Sequence, residues 1–405
     1  MADERLVSEG GTPVRESFLP FHRPSLGPEE EAEVLDTLRS GWLTTGPKTH
    51  RFEAAFARYV GARHALGVTS CTAAMHLGLV ALDIGPGDEV ITSPITFPAT
   101  ANVVVHVGAT PVFADVEPGT LNVDVDQIEA QVSPRTRAIM PVHFAGHPCE
   151  MDALMRVAQR HGLAVVEDCA HTIEATLRGR RVGSWGDVGA FSFYATKNIT
   201  TGEGGMLVTS KAELAERVEV LRLHGISRDA WKRYGLEGYK HWDTLSAGFK
   251  YNMSDLQAAL GLAQLPKLET FWDRRRTITK AYDDAFASMP EIGRLEVKDD
   301  VQSSHHLYVI LLRTERLSRT RDEFLDALQR ENIGVGVHFR ALHLHPYYRD
   351  RFGFKPGQHP AAEYASDRLL SLPLYPGMDD QAVEDTIAAV RKVVHRSRPV
   401  RARGA

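Results

Sequence analysis

The spacing of apolar residues between about residue 26 and residue 275 alternates between the period of a strand and the period of a helix. Short apolar runs predict strands, whereas Met75, Leu79 and Leu82 recur at the spacing of one helix face. This alternation is typical of an α/β protein, in which helices cover both faces of a mainly parallel sheet. The strands are predicted at residues 65–68, 90–93, 111–114, 138–142, 164–167 and 190–193.

The pattern changes after about residue 271 to that of a compact α+β unit. Residues 305–312 are predicted as a strand, and Thr320 with Glu323 forms a capping-box signature before an apolar helix face. Clefts between two such units commonly hold ligands. The predicted division is a large cofactor-binding unit, a small C-terminal unit and two tails, at residues 26–275, 276–395, and 1–25 with 396–405.

Composition and charge exclude several classes of protein. With 43% hydrophobic and 24% charged residues the chain is ordinary for a globular protein. A net charge of -5 and scattered basic residues disfavour a nucleic-acid-binding surface. The three cysteines lack the paired spacing of a metal site or a disulfide framework. Because no apolar run has membrane-spanning length and no signal-peptide core is seen, we expect a cytoplasmic protein with no metal and no membrane partner.

Three polar segments follow predicted strands, where open α/β sheets bind ligands. The first is TSCTAA at residues 69–74, in the turn before a helix. Free N–H groups at a helix start, joined by hydroxyl groups, can bind a phosphate, although an ordinary helix cap explains the same residues. No G-x-G-x-x-G or Walker pattern is present here, which disfavours dinucleotides and nucleoside triphosphates. The segment predicts a site for a monophosphate ester.

The second segment is the apolar strand at 164–167, which is followed by Asp168 and, three residues later, by His171. A carboxylate at this place can keep a pyridine nitrogen protonated, which makes the ring an electron sink. Glu167 should point the other way, toward the opposite face of the sheet or the solvent. A capping role for Asp168 and a core position for His171 remain open.

The third segment places Lys197 after the strand at 190–193 and before a glycine-rich turn at 200–206. A lysine that is desolvated there can act as a neutral amine and form a Schiff base, whereas most lysines are simply solvated. Ser192 can add a hydroxyl group to the phosphate site. Together the segments predict an amine, an acid and an anion pocket around one pyridine ring.

These segments, together with GWLTTGP at 41–47, resemble the DegT/DnrJ/StrS family of sugar aminotransferases over about residues 26–394. The resemblance implies fold type I of the pyridoxal-phosphate enzymes, with pyridoxal 5'-phosphate as cofactor. It also implies transfer of an amino group from an amino acid, here expected to be L-glutamate, to a nucleotide-linked keto sugar. The segment GVGVHFRALH at 334–343 is similar to members that aminate C4 of UDP-linked 4-keto sugars. Amination at C3 and dTDP- or GDP-linked sugars remain open.

The resemblance also assigns roles to individual residues. Lys197 matches the Schiff-base lysine; family dehydratases have histidine there, so transamination is expected. Asp168 matches the partner of the pyridine nitrogen. Asn252 matches a residue that reaches the phosphate of a second subunit, which implies a homodimer with shared active sites. The other implied contacts to the cofactor are Thr72, Ala73, Phe97, His171 and Ser192, and those to the substrate are Thr44, Arg228 and His338.

Three alternatives to these assignments stay open. Phe97 matches an aromatic ring that stacks on the cofactor, but it could equally belong to the core. A regulatory protein could keep the fold and bind the cofactor without turnover. A nicotinamide-dependent sugar enzyme would also have an α/β sheet, although the missing glycine-rich fingerprint disfavours it. Cys71 departs from the family, in which many relatives have glycine.

Overall fold

The computed structural model describes residues 5–227 and 242–399. Its strands, in chain order, are β1 (His64–Val68), β2 (Glu89–Thr92), β3 (Thr110–Phe113), β4 (Thr136–Met140), β5 (Ala164–Asp168), β6 (Thr176–Leu177), β7 (Arg180–Arg181), β8 (Val188–Ser192), β9 (Gly205–Thr209), β10 (Ile292–Arg294), β11 (Val301–Gln302), β12 (Tyr308–Leu312) and β13 (Leu369–Leu372).

The α-helices of the described residues are α1 (Pro28–Ser40), α2 (Pro47–Val60), α3 (Cys71–Ala81), α4 (Pro98–His106), α5 (Val125–Gln131), α6 (Met151–His161), α7 (Ala212–Leu221), α8 (Asp255–Gln264), α9 (Leu268–Phe286), α10 (Arg321–Arg330), α11 (Pro346–Phe352), α12 (Pro360–Ser366) and α13 (Asp380–Ser397). Short 3-10 turns lie at Val7–Glu9, Phe144–Gly146, Leu265–Lys267, Thr314–Arg316 and Leu342–Leu344.

Seven of these strands form the central sheet of the described chain, in the order β1-β9-β8-β5-β4-β2-β3. The run from β8 to β3 is parallel throughout, as the apolar pattern predicts. Strand β9 lies between β1 and β8 and is antiparallel to both. The sequence pattern does not predict β9, because its five residues begin within a glycine-rich turn and resemble the end of that turn.

Local signals set the ends of several helices. Helix α2 ends at Gly61, whose φ of 74° is easy only for glycine, and α6 ends in the same way at Gly162 with a φ of 65°. The predicted capping box also forms, because the Thr320 side chain accepts from the N–H group of Glu323 at the start of α10. These helices are therefore fixed largely by their own sequences.

The smaller unit surrounds the antiparallel sheet β10-β12-β13, which packs with α9, α10 and α13. Helix α9 is continuous across residue 275, the predicted boundary between the units. Residues before 26, predicted as a tail, contribute Leu6 and Leu19 to the same core, and Leu19 pairs with Ile333 in a parallel bridge. This N-terminal segment is thus part of the small unit's packing.

Phenylalanine side chains anchor the end of β8, from which the chain continues to Lys197. Phe52 and Phe56 of α2 pack against Phe191 and Phe193, with ring centroids 5.0 to 5.3 Å apart for three of these pairs. Burying one such ring contributes about 2 kcal/mol. The cluster therefore holds the lysine-bearing turn firmly against the sheet. Within the described residues no helix is both long enough and apolar enough to span a membrane.

Candidate active site

One cavity of about 800 Å³ lies where the parallel strands of the large unit end and the small unit covers them. This size suits a cofactor with a substrate. Residues following β1, β2, β5 and β8 line it together with a segment of the small unit. The predicted site residues among them are Thr72, Phe97, Asp168, His171, Ser192, Lys197 and His338. Stretches that are distant in sequence therefore meet at one place.

The turn after β1 supplies the hydroxyl groups of the candidate phosphate site. Ser70 caps α3, because its Oγ accepts from the N–H group of Ala73 at 3.0 Å. Ser70, Thr72 and Ser192 all line the cavity, whereas Ala73 lies outside its lining. The N–H group of Ala73 is thus already engaged within the helix cap. A phosphate contact at Ala73 stays a prediction, and Thr72 and Ser192 offer the more accessible groups.

Asp168 lies at the end of β5 with 4% of its surface exposed. Its carboxylate accepts from Thr100 Oγ1 at 2.8 Å and from the N–H group of Ala170 at 3.1 Å. Burial raises the pKa of Asp168 above its usual range, while these two hydrogen bonds and the charge of Lys197 oppose that rise. The residue is therefore a fixed acid on the cavity wall.

Lys197 lies in the loop between β8 and β9, where its N–H group donates to the carbonyl oxygen of Tyr194 at 2.9 Å. Burial lowers the pKa of its amine to about 8, and the neighbouring Cys71 and Asp168 only partly counter this effect. An appreciable fraction of the amine is therefore neutral near physiological pH. A neutral amine is the form that attacks a carbonyl group.

Glu167 points to the other side of the sheet, as the alternation along β5 predicts. Its oxygens accept from the N–H groups of Gly183, Trp185 and Gly186 at 2.7 to 2.8 Å. His143 Nε2 lies 3.2 Å from the same carboxylate. Glu167 therefore ties the loop before β8 to β5. Although His143, Glu167 and Cys169 lie close enough to suggest metal ligands, these hydrogen bonds already use both oxygens of the carboxylate.

His171 is a neutral imidazole at the cavity wall. Burial places its pKa well below the usual range, and the charge of Lys197 acts in the same direction. Within the described residues, Nδ1 of His171 is buried and has no hydrogen-bond partner. Its ring lies 4.3 Å from that of His306 and is stacked at 6.0 Å on Phe339. Because His171 lines the cavity, its ring is placed to contact a ligand.

Phe97 and His338 face the cavity from different units of the fold, Phe97 from the large unit and His338 from the small unit. Phe97 caps α4 and is 61% exposed, which places an apolar ring in contact with the cavity and disfavours a core role. His338 Nδ1 lies 3.0 Å from Ser371 Oγ, and its ring stacks on Phe21 at 5.1 Å. Burial lowers the pKa of His338 to about 4. Both positions are compatible with ligand contacts.

Among the described residues, Thr44 and Asn252 are predicted contacts that, like Ala73, do not line this cavity. Thr44 is exposed, and its carbonyl oxygen accepts from the N–H group of Asp255. Asn252 pairs with Val68, and its Nδ2 donates to Thr45 Oγ1 at 2.7 Å, while its Oδ1 is buried without a partner among the described residues. Arg228 lies outside the described residues. Contacts made by Thr44, Asn252 and Arg228 stay predictions.

Several cavity residues carry no signal in the sequence pattern. Thr100 holds Asp168 and lies one helical turn after Thr96, to whose hydroxyl group it is also hydrogen-bonded at 2.7 Å. That spacing of four is visible in the sequence, but nothing there connects it to Asp168. Further lining comes from the N-terminal segment and the small unit, at Phe21, His22, His306, Phe339, Arg340 and His345.

These residues fit pyridoxal phosphate. The cavity brings together a poised amine, a buried acid and the hydroxyl groups of Thr72 and Ser192, and its volume accommodates the ring and the phosphate. The exposed ring of Phe97 provides an apolar surface on which a planar heterocycle can lie. Each functional part of the cofactor thus has a matching group on the cavity wall.

Comparison with known proteins agrees with this fit, because residues 24–391 match the DegT/DnrJ/EryC1/StrS aminotransferase family. The chain belongs to this family. It is 52% identical over 381 residues to the spore coat polysaccharide biosynthesis protein SpsC of Bacillus subtilis, covering 94% of this chain and 98% of SpsC.

Solved structures of similar proteins show the same fold. The pyridoxal-phosphate form of the putative sugar aminotransferase Spr1654 from Streptococcus pneumoniae superposes with a TM-score of 0.88 at 33% identity, covering 94% of this chain and 99% of that chain. Helicobacter pylori PseC, an aminotransferase involved in the biosynthesis of pseudoaminic acid, gives a TM-score of 0.87 at 30% identity, covering 94% and 100%.

The DegT/DnrJ/EryC1/StrS family member described here is therefore a pyridoxal-phosphate-dependent sugar aminotransferase with fold type I. Membership of this family excludes the two alternatives, a nicotinamide-dependent enzyme and a non-catalytic binding protein. The sequence-based expectations of the fold, the cofactor and the class of enzyme are confirmed.

Proposed function

We propose that this enzyme transfers the amino group of L-glutamate to C4 of a UDP-linked 4-keto sugar. The convergence of Lys197, Asp168 and the hydroxyl groups of Thr72 and Ser192 in one cavity supports the transfer itself. The similarity of residues 334–343 to enzymes of UDP-linked 4-keto sugars supports the choice of substrate. Since glutamate and nucleotide-linked sugars are cytoplasmic metabolites, we place the enzyme in the cytoplasm.

In the proposed reaction, different residues of the chain have different roles. Pyridoxal phosphate supplies a carbonyl group that carries the amino group and a ring that accepts electrons. Lys197 holds the cofactor and, once released, takes the proton from the donor's Cα as a general base. Asp168 keeps a proton on the pyridine nitrogen, while Thr72 and Ser192 bind the phosphate. His338, with Arg340 nearby on the same segment, faces the sugar nucleotide.

The direct test is a pair of half-reactions with purified enzyme. L-Glutamate alone should convert the cofactor to its amine form and release 2-oxoglutarate, and a UDP-4-keto sugar should then restore the original absorbance with formation of a 4-amino sugar. Parallel assays should use a 3-keto sugar and dTDP- or GDP-linked 4-keto sugars. Faster turnover of any of these than of the UDP-4-keto sugar would contradict the proposed substrate, whereas loss of the glutamate step would contradict the donor.

We further propose that the enzyme is a homodimer in which Asn252 contacts the phosphate of the partner's site. The family resemblance supports this proposal, and Asn252 lies outside the cavity lining of its own chain. Its neighbour Val68 precedes the phosphate turn. The position is therefore close to the cofactor region but not within its own cavity lining.

Complementation between two inactive variants tests this arrangement. Lys197→Ala removes the amine of one site, and Asn252→Ala removes the proposed contact to the other. In a mixed dimer, a contact made across the interface leaves one site fully wild type, so mixing should restore about a quarter of the activity. If Asn252 acted within its own subunit, no mixed dimer would contain a complete site, and mixing would restore nothing.

A further inference from the structure

Asn198 follows Lys197 directly and connects the lysine turn to the small unit. Its Nδ2 donates to Glu174 Oε2 at 2.7 Å and to the carbonyl oxygen of Ser304 at 3.0 Å. A backbone carbonyl group can only accept, so the atom that faces Ser304 must be the NH₂ group. The orientation of the Asn198 amide is thereby fixed, and its Oδ1 faces His306.

This orientation determines the tautomer of His306. Nδ1 of His306 lies 2.8 Å from Asn198 Oδ1, which can only accept. Nδ1 must therefore carry the hydrogen, and Nε2 of a neutral ring is left as an acceptor. His306 itself lines the cavity, 4.3 Å from the ring of His171.

The surroundings of His306 favour the neutral ring. Burial places its pKa well below the usual range, and His171, Lys197, Arg275 and His22 all act in the same direction. Arg275 is itself fully buried, and its Nη1 donates to the carbonyl oxygen of Leu374 at 2.9 Å. The carboxyl group of Glu174 is separated from His306 by the neutral amide of Asn198. A proton added to His306 would thus meet the positive charges of Lys197 and Arg275, and no carboxylate of the described residues is hydrogen-bonded to its Nδ1.

We propose that Asn198 is a positioning residue that holds His306 as the neutral Nδ1–H tautomer, and that His306 holds the ring of His171 beside the cofactor without adding charge. The proposal rests on the proposed function only in placing His171 next to the cofactor. Its consequence is that the small unit contributes an aromatic, uncharged wall at this point. The protonation of the cofactor is then governed by Lys197 and Asp168.

The tautomer can be measured without turnover or cofactor. In ¹⁵N-histidine-labelled protein at pH 7, the resonances that disappear in His306→Phe should show a protonated Nδ1 and an unprotonated Nε2. Asn198→Leu should weaken this preference. A protonated Nε2 with a bare Nδ1, or an imidazolium at pH 7, would overturn the proposal. This outcome does not depend on which sugar is aminated.

Exchanging the side-chain types at positions 174 and 198 tests the role of His306 toward the cofactor. The double variant Glu174→Gln with Asn198→Asp keeps one carboxyl group and one amide in the pair, but it moves the carboxyl group next to His306 Nδ1. An adjacent carboxylate favours the imidazolium, whose charge disfavours protonation of the nearby lysine-bound cofactor. The pH midpoint of the cofactor's visible absorbance should fall by about one unit.

Three controls separate this effect from general damage to the site. Glu174→Gln alone and His306→Phe alone should leave the midpoint near that of the wild type, because neither places a charge beside His171. Adding His306→Phe to the exchange variant should abolish its shift. A shift with His306→Phe alone, or one that persists in the triple variant, would contradict the proposal. If the exchange variant does not fold, the His306→Phe titration and the tautomer measurement still decide.

Discussion

Replacement of Lys197 by alanine is expected to reduce turnover by more than about a thousandfold, because one change removes both the covalent attachment of the cofactor and the base that moves the proton. The amine lies in the cavity, and its lowered pKa of about 8 favours the neutral form that attacks a carbonyl group. No other described lysine lines this cavity. The loss should therefore not be compensated from within the site.

Borohydride reduction followed by mass spectrometry measures the attachment directly. Wild-type enzyme should retain the cofactor covalently on Lys197, whereas the alanine variant should lose it on denaturation. Lys280→Ala is a matched control, since this lysine is exposed on α9 and paired with Asp284. An added small amine should partly restore turnover of Lys197→Ala, which distinguishes a missing base from a misfolded site. Covalent attachment in Lys197→Ala would contradict the assignment.

The candidates at the strand ends could be predicted because each depends on local pattern. Asp168 and Lys197 follow apolar runs whose length predicts buried strands, and parallel strands bring such ends to one edge of the sheet. The direction of Glu167 follows equally from the alternation of side chains along β5. The pattern also suggests an acid for a pyridine nitrogen and an amine for a Schiff base, and the family resemblance assigns these roles to Asp168 and Lys197.

The contribution of the small unit could not be predicted in the same way. The strand predicted at 305–312 starts at its first residue, but β12 begins only at Tyr308, because His305 has a φ of 49° that a strand cannot adopt. This turn is part of what places His306 at the cavity. Likewise, the burial of Leu6 and Leu19 depends on partners far along the chain, and the local spacing of apolar residues does not indicate it. Contacts of this kind arise only on folding.

Replacement of Asp168 by asparagine should lower the rate of proton transfer by about a hundredfold or more, while leaving the cofactor attached to Lys197. Asparagine has the same shape as aspartate but no charge, so it cannot hold a proton on the pyridine nitrogen. In the wild type, the hydrogen bonds from Thr100 and Ala170 and the charge of Lys197 all favour the carboxylate. These contacts oppose the effect of burial, which raises the pKa of this carboxyl group.

A control at Thr100 distinguishes the effect of the Asp168 charge from the effect of the hydrogen bond that this carboxylate accepts. Thr100→Val removes the donor that lies 2.8 Å from Oδ2 but leaves the carboxylate, so its rate should fall by less than about tenfold. The glutamate half-reaction followed by stopped-flow absorbance gives both rates, and ¹⁵N-labelled cofactor reports the proton on the ring nitrogen. That proton should be lost in Asp168→Asn and kept in Thr100→Val. Equal rates for Asp168→Asn and the wild type would show that the ring does not need this charge, because an electron sink weakened at its nitrogen must slow the removal of the Cα proton.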